Sequence, residues 1–425
     1  MPTPGGRELP PVPEDGLPAE AFLAVTPAYG AGSLADLMPS VSAVLGVPGA
    51  PDVLGLCGEL AGVDRIGVLL VDGLGAYQLP TAAPFAPTLA SLSGLGGPSG
   101  ASAVSGSSLT SGPSAVSGLP GVPGLSVRTL TTGFPSTTPV SLVTVGAGVP
   151  PGAHGVLGFT VRRPDGRILN HIHWSDDPDP YQWQPVPTAF ETAAAAGVAV
   201  TLVSRSLYRG SGLSVAANRG ARYHVADDGP AVAEGMLAAL RSGPGLVYGY
   251  HPDLDKAGHE YGVSSPAWED AARGVDAILD RLVHELPPNA ALLVIADHGQ
   301  LNVPASARYD LSIGPLADGL AVVAGEPRAR YLHVRDGARD DVLATWQAVL
   351  GDDARVMMRD EAIAEGWYGP MAPAHAERIG DVVVHCRNRA AVVASGWEPP
   401  MAGQLVAYHG SVTAAEMTVP LLIAR

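Results

Sequence analysis

The chain holds 425 residues, 46% hydrophobic and 16% charged, with 41 acidic against 25 basic side chains and a formal net charge of −16. That is enough apolar material for one large α/β domain, and too acidic a balance for a nucleic-acid groove unless a basic run or a metal reverses the local field. No such run exists, Lys256 being the only lysine; Cys57 and Cys386 stand far apart and outside any CxxC pair, which excludes a disulfide framework and makes a reducing compartment the simpler expectation.

Met1–Leu17 is rich in Pro, Gly and acidic residues and lacks the basic and apolar regions of a signal peptide. With no apolar run of membrane-spanning length, a cytoplasmic protein is expected. Residues 1–60 read as an N-terminal extension packing on a catalytic domain of 61–425. Ile66–Val71 is a short apolar run of the kind found in buried parallel strands, and it runs into Asp72-Gly73-Leu74-Gly75. A dinucleotide fingerprint fails here because Gln78 stands where the third glycine belongs. Ligands of open α/β sheets gather beyond the carboxyl ends of strands, so Asp72 is placed for chemistry, although capping a helix would equally account for it.

From about 93 to 125 the chain is almost wholly Gly, Ser, Ala, Pro, Val and Leu without a charge, which predicts a flexible low-complexity loop. Phe134-Pro135-Ser136-Thr137-Thr138-Pro139-Val140-Ser141 follows. Thr138 reads as a helix N-cap with Pro139 in the first helical position, where its hydroxyl would face free N–H groups and the positive end of the helix dipole. An ordinary capping threonine explains that much by itself. His171 and His173 alternate as on a half-buried strand with surface histidines, and Trp174, Tyr181 and Trp183 read as core aromatics.

Further strands are expected at Val198–Val203, Gly245–Tyr250 and Ala291–Ala296, and helices at Thr188–Ala196, Pro230–Arg241, Pro266–Leu286 and Ala338–Leu350. This alternation predicts an α/β fold with a mainly parallel central sheet covered on both faces. After Gly245–Tyr250 come His251, Asp253, Asp255 and His259; the last two, four residues apart, share one helix face and suit a single cation, while His251 and Asp253 compete for the role. Ala291–Ala296 leads into Asp297-His298-Gly299, a carboxylate and an imidazole side by side. Strands near Leu320–Val323 and Arg330–Val334, with the following helix, suggest a small inserted subdomain at about 312–360. Tyr408-His409-Gly410-Ser411 precedes a last apolar run, Val419–Ile423.

Singly, each of these has a plain structural explanation. Together they supply carboxylates, imidazoles and one hydroxyl in the numbers a dinuclear site needs, with metals about 4 Å apart. In their order, Asp72-Gly73, Phe134 to Thr138, Pro151-Gly-Ala-His154-Gly155, Asp255-x-x-Gly-His259, Asp297-His298-Gly299 and His409-Gly410 resemble the nucleotide pyrophosphatase/phosphodiesterase (type I phosphodiesterase) family of the alkaline phosphatase superfamily. The resemblance runs from about Ile66 to the C-terminus. It implies an alkaline phosphatase-like fold and two divalent metals, zinc foremost and manganese second.

Carried over, Thr138 corresponds to the nucleophile, chosen over Thr137 by its spacing to His154-Gly155. Asp255, His259 and His409 would hold one metal, and Asp72, Asp297, His298 and Thr138 the other. Ser141 stands where eukaryotic members carry a phosphate-binding asparagine. The implied activity is hydrolysis of phosphodiester or pyrophosphate bonds in small nucleotide-like substrates through a phosphothreonine intermediate. Alternatives on the same fold are a phosphomonoesterase, for which Arg128, Arg162 or Arg205 could grip the extra charge, and a phosphonate hydrolase. A non-catalytic metal-binding homologue ranks lower because every ligand position is filled. A sulfatase is disfavoured by the absence of Cys-x-Pro-x-Arg.

Overall fold

The computed structural model describes residues 12–95 and 126–425, so nearly all of the expected 93–125 loop lies outside the described residues. In chain order, β1 (Arg65–Val71), β2 (Ser126–Thr131), β3 (Val200–Ser204), β4 (Arg222–Val225), β5 (Gly245–His251) and β6 (Ala290–Ile295) enter one sheet. Strands β7 (Leu320–Glu326), β8 (Ala329–Val334), β9 (Ala354–Met358) and β10 (Val382–Cys386) form a second, antiparallel sheet. Strand β11 (Thr418–Ala424) returns to the first. The main sheet runs β2-β11-β6-β1-β5-β3-β4; it is parallel from β6 to β4, and β11 is antiparallel to both its neighbours.

Every residue of Ile66–Val71, Gly245–His251 and Ala290–Ile295 is buried. Strands with no exposed alternate must be covered on both faces, and the crossovers of a parallel sheet supply that cover. The helices are α1 (Leu37–Val44), α2 (Thr138–Ala147), α3 (Ala189–Ala195), α4 (Gly212–Asn218), α5 (Gly229–Ser242), α6 (Asp253–Tyr261), α7 (Pro266–His284) and α8 (Arg339–Leu350). Helix α7 shows how sequence sets such an element. Ser265 caps it, its hydroxyl accepting from Trp268 N at 3.2 Å, Pro266 takes the first position, and Val275, Ile278, Leu279 and Leu282 form the buried stripe. Leu34, Leu37, Met38, Val41 and Leu56 of the N-terminal segment join the same apolar core as β1 and β6.

Strand β10 of the second sheet is buried on both faces, its side chains alternating with the two-residue period of a strand. Val382, Val384 and Cys386 of β10 pack with Val342 and Trp346 of α8, whereas Val383 packs with Tyr331, Phe134 and Val143. One face therefore supports the segment that leads into α2. The subdomain limits of about 312–360 are too narrow, because β10, lying between β8 and β9, is drawn from residues 382–386.

Two local expectations need correction. Thr137, in extended backbone, occupies the cap of α2, and Thr138 is its first residue with Pro139 second. First-turn N–H groups have no intrahelical acceptor, so proline fits any of those positions and does not fix which residue is the cap. The short strand Ile168–Asn170 stops before His171, and that ring is fully buried instead of facing outward. His171 Nδ1 donates to Gly158 O at 2.7 Å, Nε2 accepts from Trp183 Nε1 at 3.1 Å, and burial pushes its pKa down to about 4. Trp174 and Trp183 lie in the core, while Tyr181 is exposed. No described helix is long and apolar enough to cross a membrane.

Candidate metal centre

Three central strands of the main sheet deliver carboxylates at their carboxyl ends. Asp72 follows β1, and its N–H continues the ladder by donating to His251 O at 3.0 Å. Gly73 then turns with φ +75°; a Cβ there would lie 3.0 Å from both Cα and Cβ of Asp255, so glycine is what lets α6 approach this closely. Helix α6 carries Asp255 and His259 one turn apart, and Asp297 and His298 follow β6. His409 arrives from the other end of the chain. Ala407–Tyr408 pairs antiparallel with Leu301–Asn302, which zips the segment entering His409 to the one leaving His298.

These residues form two adjoining groups, Asp72 with Asp297 and His298, and Asp255 with His259 and His409, each with ligand atoms within 4.8 Å of one another. His298 Nε2 lies 3.6 Å from Asp72 Oδ1, 3.4 Å from Asp297 Oδ2 and 3.2 Å from Thr138 Oγ1. His259 Nε2 lies 3.3 Å from Asp255 Oδ2 and 3.2 Å from His409 Nε2. The His298 and His409 rings stack with centroids 3.7 Å apart, which sets the two groups side by side. All seven residues picked from sequence for metal and nucleophile thus meet in one place. His251 and Asp253 belong to neither group.

The donor set fits a pair of divalent cations. Asp72 Oδ1 and Asp297 Oδ2 are buried and find no hydrogen-bond donor among the described residues, a costly state for carboxylate oxygens unless a cation takes them. The imidazoles are oriented to match. Nδ1 of His259 donates to Ala407 O at 2.8 Å, that of His409 to Ser136 O at 2.9 Å, and that of His298 faces Gly299 O at 3.3 Å. Each therefore turns Nε2 inward, as metal-binding histidines do when a carbonyl fixes the tautomer. Without cations the electrostatics are unfavourable. Burial, then the Asp297 and Asp255 carboxylates, push the Asp72 pKa well up, and burial, then the His298 and His259 rings, push His409 well down.

Thr138 opens α2. The first intrahelical bond is from Ser141 N–H to Thr137 O at 3.0 Å, and Pro139 has no N–H, so those of Thr138 and Val140 have no intrahelical acceptor. Donors of this kind beside a hydroxyl suit a phosphoryl oxygen. Ser141 is one turn further in, fully buried, with its hydroxyl 2.7 Å from Thr132 Oγ1; that hydroxyl already has a partner.

Sequence reasoning missed the groups that hold these side chains in place. Tyr250 donates to Asp72 Oδ2, Gln300 Nε2 donates to Asp255 Oδ1, and Asp297 Oδ1 accepts from Gly73 N at 3.1 Å. Glu326 lies with Oε2 3.7 Å from His409 Nδ1, and burial raises its pKa to about 8. Gly410 makes that approach possible, since its φ is +123° and a Cβ would sit 2.7 Å from Glu326 Cδ. Tyr250 ends an apolar strand and reads as core, and Gln300 sits two residues past His298, where proximity was the one available signal. Of the three candidate arginines, Arg128 pairs with Glu59 on the edge strand β2 and Arg162 is exposed, whereas Arg205 follows β3 beside α6, with Nη2 2.5 Å from Asp253 Oδ1.

A sequence model described as type I phosphodiesterase / nucleotide pyrophosphatase matches residues 68–412, most of the chain and every residue of both groups. The chain belongs to that family. This makes it an enzyme, a hydrolase of a class acting on phosphodiester, pyrophosphate or phosphonate bonds, in a family that depends on divalent metals. Among curated protein sequences none matches the chain. Solved structures of like fold include phosphonoacetate hydrolase from Sinorhizobium meliloti 1021 in complex with phosphonoacetate, at 20% identity and TM-score 0.60, with 85% of this chain and 90% of that one covered. They also include an inactive threonine-to-alanine variant of murine ectonucleotide pyrophosphatase/phosphodiesterase 5 in complex with AMP, at 16% identity and TM-score 0.59, with 85% and 88% covered. The human counterpart follows at 15% identity and TM-score 0.57, covering 84% and 87%. At these identities the likeness carries the fold, which is alkaline phosphatase-like with a mostly parallel central sheet.

Proposed function

We propose that the chain hydrolyses phosphodiester or pyrophosphate bonds of small nucleotide-like substrates, with Thr138 as nucleophile and two zinc ions as cofactors. Asp72, Asp297 and His298, with Thr138, would hold one ion, and Asp255, His259 and His409 the other. The supporting observation is the pair of buried carboxylate oxygens of Asp72 and Asp297, without a donor among the described residues, near His298 Nε2, which is itself within reach of the Thr138 hydroxyl. When bound, such cations lower the pKa of a coordinated hydroxyl and neutralise phosphoryl oxygens. Imidazole and carboxylate donors suit zinc, with manganese as the second choice.

In this reading Thr138 Oγ bonds to phosphorus as the bond to the leaving oxygen breaks, and the N–H groups of Thr138 and Val140 receive a non-bridging oxygen. Water then cleaves the phosphothreonine from the opposite side, so configuration at phosphorus is retained. Diesters and pyrophosphates are favoured over monoesters because, among the described residues, no Arg or Lys bonds to any of the seven. The test is the zinc-loaded Thr138→Ala variant on bis-p-nitrophenyl phosphate. It should keep its metals and lose about a thousand-fold in kcat; turnover at the parental rate removes Thr138 as nucleophile. Faster cleavage of phosphonoacetate than of any diester or pyrophosphate would move the substrate to the phosphonates.

A further inference from the structure

The described buried arginines are bonded all round. Arg328 binds Glu416 through Nε and Nη2 and Ala390 O through Nη1, and Arg330 likewise spends all three nitrogens on Val392 O and Glu398. Arg205 differs. Its side chain is only 23% exposed, yet among the described residues Nη2 alone is bonded, to Asp253, which leaves Nε and Nη1 open.

Its place in the sheet is specific. Strand β3 pairs with β5, which pairs with β1, so Arg205 follows a strand two places from the one that ends at Asp72. Strand spacing makes that separation about 10 Å. Two aromatic rings fill the interval: the Tyr250 phenol donates to Asp72, and the Tyr208 ring meets the Tyr250 ring edge-on with centroids 5.8 Å apart. The Tyr208 phenol, its pKa raised chiefly by burial, senses both the Arg205 guanidinium and the Asp72 carboxylate.

The loop bearing these residues is held firmly. Tyr223 OH donates to Arg205 O at 2.5 Å, and Ser206 N and Oγ donate to Asp227 Oδ1 at 2.8 and 2.7 Å. Leu207, between Ser206 and Tyr208, is 81% exposed.

We propose that Arg205, with Tyr208 beside it, forms a subsite for a second anionic group of the substrate, a carboxylate or phosphate carried a few bonds beyond the reacting phosphorus. The inference rests on the metal-site reading above and narrows its substrate class to esters of anionic alcohols. Two strands of separation set the Arg205 backbone about 10 Å from that of Asp72, and the Tyr208 and Tyr250 rings, the latter bonded to Asp72, lie in the interval. Asp253 orients the guanidinium through one nitrogen and leaves two donors for the incoming anion. A charge-assisted pair at this half-buried site corresponds to about ten-fold in affinity.

Two p-nitrophenyl phosphodiesters of equal shape provide the test, one esterified to glycolate and the other to glycolamide. The zinc-loaded enzyme should favour the glycolate ester about ten-fold in kcat/KM, through KM, and Arg205→Met should bring the ratio to about one. Calorimetric binding of both esters to zinc-loaded Thr138→Ala protein should show the same preference, lost in the Thr138→Ala/Arg205→Met variant. A ratio near one in the parent, or a ratio that survives Arg205→Met because both esters fall together, overturns the subsite and leaves Arg205 a structural partner of Asp253. If neither ester is turned over, the proposed reaction fails, and the binding preference still decides on the subsite.

Discussion

His385 shows how a buried polar group can be tolerated without being used. Its ring lies 6.2 Å from Phe134 and 5.5 Å from Trp367, centroid to centroid, and neither nitrogen has a partner among the described residues. Burial, reinforced by nearby arginines, pushes its pKa down to about 3, against about 6.5 in an unfolded chain. Because the folded value is depressed, the unfolded chain binds the extra proton first. The stability this neutral ring contributes is therefore present above pH 6.5 and lost as pH falls from there toward 3. His385→Phe, which keeps an aromatic ring in the cluster, should gain about 2 kcal/mol over the parent on going from pH 7 to pH 5, read from urea melts at both values. Equal shifts at the two pH values would show that His385 does not titrate this way. The residues legible in sequence are of another kind: Asp72, Asp297 and His298 each stand just after an apolar run, where strand ends display side chains. Tyr250, Gln300, Glu326 and His385 carry no such mark, because what singles them out is contact with residues distant in sequence.

At the scale of elements, the second sheet is joined to the metal loops through one buried ion pair. Arg328, in the turn between β7 and β8, meets Glu416 with Nε–Oε1 at 2.7 Å and Nη2–Oε2 at 2.8 Å, both side chains fully buried. Glu416 also accepts from Ser411 N at 2.9 Å and Thr413 Oγ1 at 2.6 Å, and its backbone carbonyl accepts from Gly299 N at 3.0 Å. One residue thus fixes the loop two positions past His409 and the loop one position past His298. Glu416→Ala strands a buried guanidinium and should cost about 3–5 kcal/mol in urea unfolding, whereas Arg328→Met combined with Glu416→Leu should recover much of that loss. A cost below about 1 kcal/mol for Glu416→Ala would show that the pair holds nothing in place. The main-sheet strands and helices that were expected lie within a residue or two of their places, since apolar runs and helical spacing are local, but β2 (SVRTLT) and β4 (RYHV) went unforeseen because neither is an apolar run. The second sheet was readable only in part: its strand 382–386 enters between two earlier strands, and pairing order is not a local property.

Over the whole molecule, the acidic balance and the metal groups bear on each other. The three carboxylates of the proposed metal site are packed together in a chain of net charge −16, two of them within 2% of full burial, so folding without cations works against their repulsion and desolvation. Bound cations reverse this, and any ion that binds the folded chain alone stabilises it by mass action, about 4 kcal/mol per site at a thousand times Kd. Spread over the unfolding entropy of 425 residues, two such sites correspond to a melting temperature roughly 5–10 °C higher. Calorimetric scans with saturating zinc and with excess chelator should differ by that amount, and added zinc should restore the upper value. Thr138→Ala should keep the whole difference, because six protein ligands remain. His409→Ala should keep only part of it and lose metal on dialysis, because Asp255 and His259 alone make a poor site. Identical melting with and without chelator would mean that these buried carboxylates are stable on their own, and the case for a dinuclear centre would fall with it.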